Sequence, residues 1–352
     1  MVLEGKRVLI TGGTGSLGKV LVRRILSGEF GTPRQLVVLS RDEAKQHFMR
    51  MEYLNKTSTT DEVIYQNFQR VLTFRIGDVR DYHSVASALQ GIDVVFNAAA
   101  LKQVPTCEYF PYEAVQTNIG GPENIVRAIR ENDLPIETVV GISTDKACKP
   151  VNVMGMTKAI QERVFIRANL ECPGTRFVCV RYGNVLASRG SVIPLFHDQI
   201  RSGGPVTLTD ERMTRFLLSL DQAVDTIFAA VKEARPGETY IPRVPSARMV
   251  DIADVLINGR KIEKMFTGIR PGEKIHEILI SEEEAHRTKA RGGYYAIAPM
   301  LPEVGSLEGS PSLTKEYSSG DDPMNKEQAR ELLVRNRLMV GDELVLEGEL
   351  LR

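Results

Sequence analysis

Apolar residues recur along this chain in two rhythms. Short apolar runs cover Lys6 to Ile10, Gln35 to Leu39, Val71 to Ile76, Asp93 to Phe96, Glu137 to Ile142 and Arg176 to Tyr182. Near-continuous, β-branched runs of this length are what a parallel sheet covered on both faces requires. Between them lie stretches with helical spacing, from Gly18 through Ile25, around Asn118, and from Val151 to Asn169. This alternation predicts an α/β fold with a doubly wound parallel sheet. Residues 55–68 read as a polar excursion. Beyond Tyr182 the periodicity weakens and Gly203-Gly204-Pro205 interrupts it. There the pattern predicts a short strand at Thr207 to Asp210, a helix at Asp221 to Lys232 and a turn at Arg270 to Lys274. Gly, Ser, Pro and acidic residues from Pro302 to Asp322 predict an extended or mobile segment. A last helix is expected over Asn325 to Asn336, and there are no internal repeats.

The link between the first strand and first helix, Thr11 to Gly18, reads TGGTGSLG. Small residues there let the backbone turn tightly and let a pyrophosphate approach a helix N-terminus, where free amides and the dipole favour anions. Gly12, Thr14, Gly15, Ser16, Leu17 and Gly18 are therefore candidate cofactor-binding residues, and the sheet is expected to be Rossmann-type. The second strand ends in Ser40-Arg41, with Lys45 one helical turn on. A carboxylate at that point holds the ribose hydroxyls of NAD, whereas a hydroxyl, a guanidinium and an ammonium suit the 2′-phosphate of NADP. Asp42 conflicts with the NADP assignment unless it points away or caps the helix. Asp78, beside Val79, is placed to bond an adenine amine. Ala98 and Ala99 are small enough for a cofactor to lie across the sheet edge.

The stretch Ser143 to Lys158 carries the candidate chemistry. Asp145 and Lys146 stand side by side at the exit of the fifth strand, and Lys158 follows near the start of the next helix. Carboxyl ends of strands in such sheets face the ligand crevice. A solvated charge pair is the plain alternative, and the surrounding cofactor motifs argue against it. The expected division is 1–185 as an NADP-binding domain, 186–300 as a substrate lobe interleaved with it, and 301–352 as a C-terminal extension with a terminal helix.

Composition narrows the function classes. The 352 residues carry 45 basic and 45 acidic side chains. That balance argues against nucleic-acid and membrane-surface partners. The start lacks an apolar signal core and no run approaches a membrane span, so a soluble, cytoplasmic protein is expected. Four cysteines, Cys107, Cys148, Cys172 and Cys179, show no metal-ligand spacing, and no metal is expected.

Together these residues resemble the extended short-chain dehydrogenase/reductases, and within them the UDP-N-acetylglucosamine 4,6-dehydratase group of polysaccharide biosynthesis. The resemblance covers roughly residues 5–290, with a weaker likeness at Tyr317-Ser318-Ser319. It rests on Thr11 to Gly18, Ser40 to Gln46, Ala98 to Pro105 (AAALKQVP), Ser143 to Ala147 (STDKA) and Arg270 to Lys274 (RPGEK). It implies Lys102 near both ligands and Asn118 near the cofactor. It also implies Asn184, Val192, Pro194, Thr207, Arg215, Arg270 and Glu273 on a UDP-sugar, and assembly as a homo-oligomer. The superfamily carries Tyr-x-x-x-Lys, with tyrosine as base. Here Met154 and Lys158 occupy those positions, a pattern that resembles the capsule-type dehydratases that also invert C5.

The implied reaction oxidises the sugar at C4, eliminates water across C5–C6 and returns hydride to C6. The resemblance makes Lys146 the base and Asp145 the acid, with Lys158 on the nicotinamide ribose. A basic amine needs a lowered pKa and a donating carboxyl a raised one. Direct pairing would oppose both, so the Asp145 and Lys146 side chains are expected to diverge. Thr144, a water on Lys158, or Lys146 are candidates for the C4 proton, and Cys107 is either near the sugar or a buried filler. The remaining charges, Glu282-Glu283-Glu284 included, are read as solvated surface. The alternatives are a UDP-hexose 4-epimerase and a non-catalytic sensor of NADP and UDP-sugar.

Overall fold

The structure is a computed structural model and describes residues 1–54, 62–186 and 191–342. Residues 55–61 of the expected polar excursion, 187–190 of the loop after the sixth strand, and the tail from 343 lie outside the described residues.

The six expected strands form as β1 (Arg7–Thr11), β2 (Gln35–Ser40), β3 (Leu72–Ile76), β4 (Val94–Asn97), β5 (Thr138–Ile142) and β6 (Arg176–Val180). They pair in parallel in the order β3-β2-β1-β4-β5-β6. The order reverses between β1 and β4, and a ligand crevice opens at the carboxyl ends of such a switch point. Beyond β6 the sheet grows to nine strands. Thr239–Pro242 adds in parallel, then Tyr294–Ile297 and Thr288–Arg291 antiparallel.

The continuous apolar runs are explained by burial on both faces. Val8 and Ile10 of β1 join a core with Leu21 and Ile25 of the Ser16–Leu26 helix and Ile227 of the Leu220–Glu233 helix. Leu9, between them, points to the opposite core with Ile125, Ile129 and Phe165. The alternation is the pleat of the strand.

A third core, including Phe196, Leu217, Ile252, Leu256 and Leu333, holds a smaller region. Its four-stranded sheet joins Pro323–Met324, Ser246–Arg248, Thr214–Leu218 and Asn184–Val185. The expected strand at Thr207 to Asp210 is realised as Val206–Leu208, paired with Lys264–Phe266.

One expectation is corrected and one is narrowed. Residues 62–71 form a helix, not a polar excursion, because Phe68 and Val71 bury and Phe68 stacks on Tyr53 at 5.4 Å. The Pro302–Asp322 segment is anchored near its end: Tyr317–Ser318 pairs with Ile278–Ile280, and Ser319 is fully buried. Among the described residues no helix is long and apolar enough to cross a membrane.

Candidate active site

The loop after β1 is shaped by what its glycines lack. Gly12 has φ +67°, and a Cβ there would lie 2.8 Å from backbone atoms of Ala99. The missing side chain thus brings the first turn against the exit of β4. A Cβ on Gly18 would sit 2.5 Å from Gly13 Cα, so glycine lets the helix close down on the loop. Gly15 is the N-cap of the Ser16–Leu26 helix, and no side chain caps it. That leaves an anion-favouring helix start beside Ser16 and Leu17. Asn97 Oδ1 accepts from Thr11 Oγ1 at 2.8 Å, while Asn97 Nδ2 is buried with no partner among the described residues. These features fit a dinucleotide laid across the switch point.

The region after β2 also fits. Thr14 Oγ1 lies 2.8 Å from Ser40 Oγ. Asp42 caps its own helix, accepting from the Lys45 N–H at 3.0 Å, which removes its conflict with a 2′-phosphate. Its other oxygen holds Lys45 Nζ at 3.2 Å. Asp78 is not the free acceptor expected for an adenine amine. Its carboxylate accepts two bonds from Arg80, at 2.9 and 2.7 Å, with Arg41 Nη1 at 3.6 Å. Burial would raise the Asp78 pKa, but these guanidiniums outweigh it and hold it low. Val79 is buried, and a Cβ on Gly121 would lie 3.0 Å from its side chain.

At the exit of β5 the backbone stays tied to β6, with Ser143 N–H on Val180 C=O at 2.7 Å and Asp145 N–H on Tyr182 C=O at 3.0 Å. Thr144 then caps a short turn, Asp145–Ala147. Asp145 is fully buried; Oδ1 accepts from Thr144 Oγ1 at 2.9 Å and from Lys146 Nζ at 3.1 Å. Oδ2 is buried without a partner among the described residues. The expected divergence of Asp145 and Lys146 therefore does not occur. The ammonium is also 3.2 Å from Glu277 Oε1, and Arg215 Nε stands 3.8 Å from that oxygen. Burial raises the Asp145 pKa, as an acid requires. Burial would lower that of Lys146, but the Asp145 and Glu277 carboxylates prevail and raise it, contrary to expectation.

Met154, on the Val153–Glu171 helix, packs with Cys107 and Ala114 in a small apolar cluster. Cys107 donates weakly to Leu101 C=O at 3.7 Å and burial pushes its thiol pKa up, so it acts as filler. Lys158 is buried and donates to Gln161 Oε1 at 2.6 Å; burial lowers its pKa to about 8. Asn118 sits in a π turn, Gln116–Gly120, and spends its amide on Leu101 N–H and C=O and on Thr157 Oγ1. It pins the β4 exit loop, on which Lys102 is exposed.

The residues expected on a UDP-sugar lie on several elements beyond β6. Asn184 Oδ1 and Glu273 Oε2 are buried without partners among the described residues. Val192 and Pro194 form the first turn of the Val192–Arg201 helix. Thr207 Oγ1 accepts from Gln199 at 2.7 Å. Arg215 donates to Thr214 and Ile275 carbonyls, so its charge is partly committed inside. Arg270 is exposed on its turn. That turn is buckled to the acid–base stretch: Asn152 Nδ2 donates to Gly272 C=O at 2.8 Å and Lys274 Nζ to Cys148 C=O at 2.6 Å.

Sequence reasoning missed Glu277 and a buried triad. Arg181 holds Glu162 at 3.0 and 2.6 Å and Glu284 at 2.7 and 2.9 Å. Glu284 is therefore interior and not solvated surface; burial would raise its pKa, but Arg181 outweighs this and holds it at about 2. Signals existed: Arg181 prolongs an apolar strand, and Glu162 falls four residues after Lys158 on the same helix face.

Comparison with known proteins is consistent with this geometry. The model of a family described as polysaccharide biosynthesis protein matches residues 8–299. The chain belongs to that family. As a polysaccharide biosynthesis protein it is an enzyme of the extended short-chain dehydrogenase/reductase, nucleotide-sugar epimerase/dehydratase class. It is 41% identical to a UDP-glucose 4-epimerase of Rickettsia typhi, over 94% of this chain and 95% of that protein. Pen from Bacillus thuringiensis superposes with a TM-score of 0.85 at 34% identity, covering 96% of this chain and 100% of that one. DesIV, a dTDP-glucose 4,6-dehydratase from Streptomyces venezuelae solved with NAD and TYD bound, shares the fold. There the TM-score is 0.63 at 22% identity, over 76% of this chain and 86% of that one.

Proposed function

We propose that the protein is an NADP-dependent 4,6-dehydratase of UDP-N-acetylglucosamine or a close UDP-hexose, with inversion at C5. The buried Asp145–Lys146 pair at the β5 exit carries this reading, since moving hydride at C4 alone needs no acid for a C6 hydroxyl. Gly12 to Gly18 would hold the pyrophosphate, and Ser40, Arg41 and Lys45 the 2′-phosphate. Hydride acceptance from C4 and its return at C6 is the chemistry the dinucleotide supplies when bound.

The proton steps fall to this chain. Met154 has no proton to exchange, so the C4 hydroxyl proton passes through Thr144 to Asp145, 2.9 Å away. The C4 ketone acidifies C5, and Lys146 removes that proton. Asp145 delivers its proton to the departing C6 hydroxyl, which leaves as water. A raised carboxyl pKa suits a group that takes and releases a proton in one turnover. Inversion requires the new C5 proton to arrive on the face opposite Lys146, so it comes from solvent while Lys146 gives its own proton up to solvent, and two protons removed balance two supplied.

The name of the Rickettsia typhi relative favours a second reading, 4-epimerisation of a UDP-hexose. Proton NMR time courses with UDP-N-acetylglucosamine and with UDP-glucose separate them. A new C6 methyl signal is expected; a C4 epimer with C6 intact establishes the epimerase, and an unchanged spectrum removes both.

A further inference from the structure

Nothing local in the sequence marks Glu277 for the site, yet the fold delivers it there. Its side chain is 3% exposed. Its backbone is clamped by Ser319, whose Oγ accepts the Glu277 N–H at 2.9 Å and whose N–H donates to the Glu277 C=O at 2.8 Å. Oε1 lies 3.2 Å from Lys146 Nζ, and Oε2 is buried with no partner among the described residues. A fixed, buried carboxylate thus shares one ammonium with Asp145, with Arg215 Nε 3.8 Å from the same oxygen.

An ammonium cannot take up the C5 proton; it must lose one first. Two acceptors touch it, Asp145 Oδ1 at 3.1 Å and Glu277 Oε1 at 3.2 Å. Asp145 is engaged by Thr144 and serves the C4 and C6 oxygens. Glu277 has no such second task. Burial favours transfer to it, which leaves a neutral amine and a neutral acid, whereas Lys146, Arg215 and Lys274 hold the Glu277 pKa low; the pair is therefore charged at rest and the transfer is an uphill step of turnover. Resting on the dehydratase reading, we propose that Glu277 is the proton acceptor of Lys146: the Nζ–H bond breaks, an Oε1–H bond forms, and the freed lone pair takes the C5 proton. The proton stays on Glu277 during turnover while Lys146 takes the C5 proton and passes it to solvent. Glu277 acts through Lys146 and is a positioning residue. The raised Lys146 pKa keeps the proton on the amine at rest.

The test follows deuterium entry at C5 and methyl formation in full-length protein with NADP and UDP-N-acetylglucosamine in D2O, from pH 6 to 9. Wild type is expected to exchange with little pH dependence near neutrality. E277Q keeps the size but cannot take the proton, so exchange at pH 7 should fall about 10²- to 10⁴-fold. It should then climb roughly tenfold per pH unit, as solvent deprotonates Lys146. Wild-type rate and profile in E277Q overturn the inference, and so does equal slowing at every pH, which marks a scaffold role. A wild type that makes no methyl product overturns the dehydratase reading and this inference together. Infrared difference spectra of wild type keep the test open should E277Q fail to fold. On substrate binding a protonated-carboxyl C=O band should appear that moves with ¹³C-glutamate labelling; its absence overturns the proposal.

Discussion

Replacing Glu284 by glutamine removes one charge from the interior and leaves the shape in place. Glu284 accepts from Arg181 at 2.7 and 2.9 Å and from the Ser281 N–H at 3.1 Å. Its pKa of about 2 stands against an ordinary 4.5. At about 1.4 kcal/mol per pH unit, that difference is worth roughly 3 kcal/mol of stability near neutrality. The folded pKa is depressed, so the contribution is complete above pH 4.5 and is lost as pH falls towards 2. By linkage, about 2 kcal/mol of it is gone by pH 3. Glu284→Gln should therefore be about 3 kcal/mol less stable than wild type at pH 7 in urea unfolding followed by circular dichroism, and the gap should shrink to about 1 kcal/mol at pH 3. Arg181→Met should cost at least as much, about 3 to 5 kcal/mol, because it leaves Glu162 and Glu284 buried without the guanidinium that both bind. A gap between wild type and Glu284→Gln that stays constant from pH 7 to 3 would refute the claim that the carboxylate's charge is in use.

Arg41→Ala should weaken NADP binding roughly 10- to 150-fold, the cost of one charge-assisted contact, and leave NAD nearly unchanged; equal loss of both in calorimetry would make Arg41 structural. Met154→Tyr should not raise turnover, because Met154 is packed against Cys107 and Ala114. Overfilling that cluster should cost about 1 to 3 kcal/mol in urea unfolding. Asp145→Asn should slow both C5 exchange with solvent deuterium and formation of the methyl signal, because Asp145 takes the C4 proton and gives it to the C6 hydroxyl; rapid dehydration removes Asp145 from both roles. Borohydride reduction of fresh product should yield L-configured 6-deoxy sugars, and D-configured sugars alone at early times would end the C5 inversion.

What the sequence by itself determined is what neighbouring residues determine physically. The strand expected at Lys6 to Ile10 forms at Arg7–Thr11, and Asn325 and Asn336 cap the last helix. Pleat, helical spacing and caps depend on residues a few positions apart, so they are readable without a partner. The glycine loop belongs here too, because its turn and close approach follow from missing side chains. Tertiary structure alone decided which charges are buried and with whom. Asp145 and Lys146 are neighbours in the chain, but the second carboxylate on the same ammonium is Glu277, held by Ser319 from the C-terminal segment. Glu284 looks like surface beside Glu282 and Glu283 until Arg181 of the β6 exit takes it inside. Met154 could be seen to lack a proton, but not to be packed on Cys107. A side chain's charge and pKa answer to its desolvation and to charges a few ångströms away, and those neighbours come from distant parts of the chain.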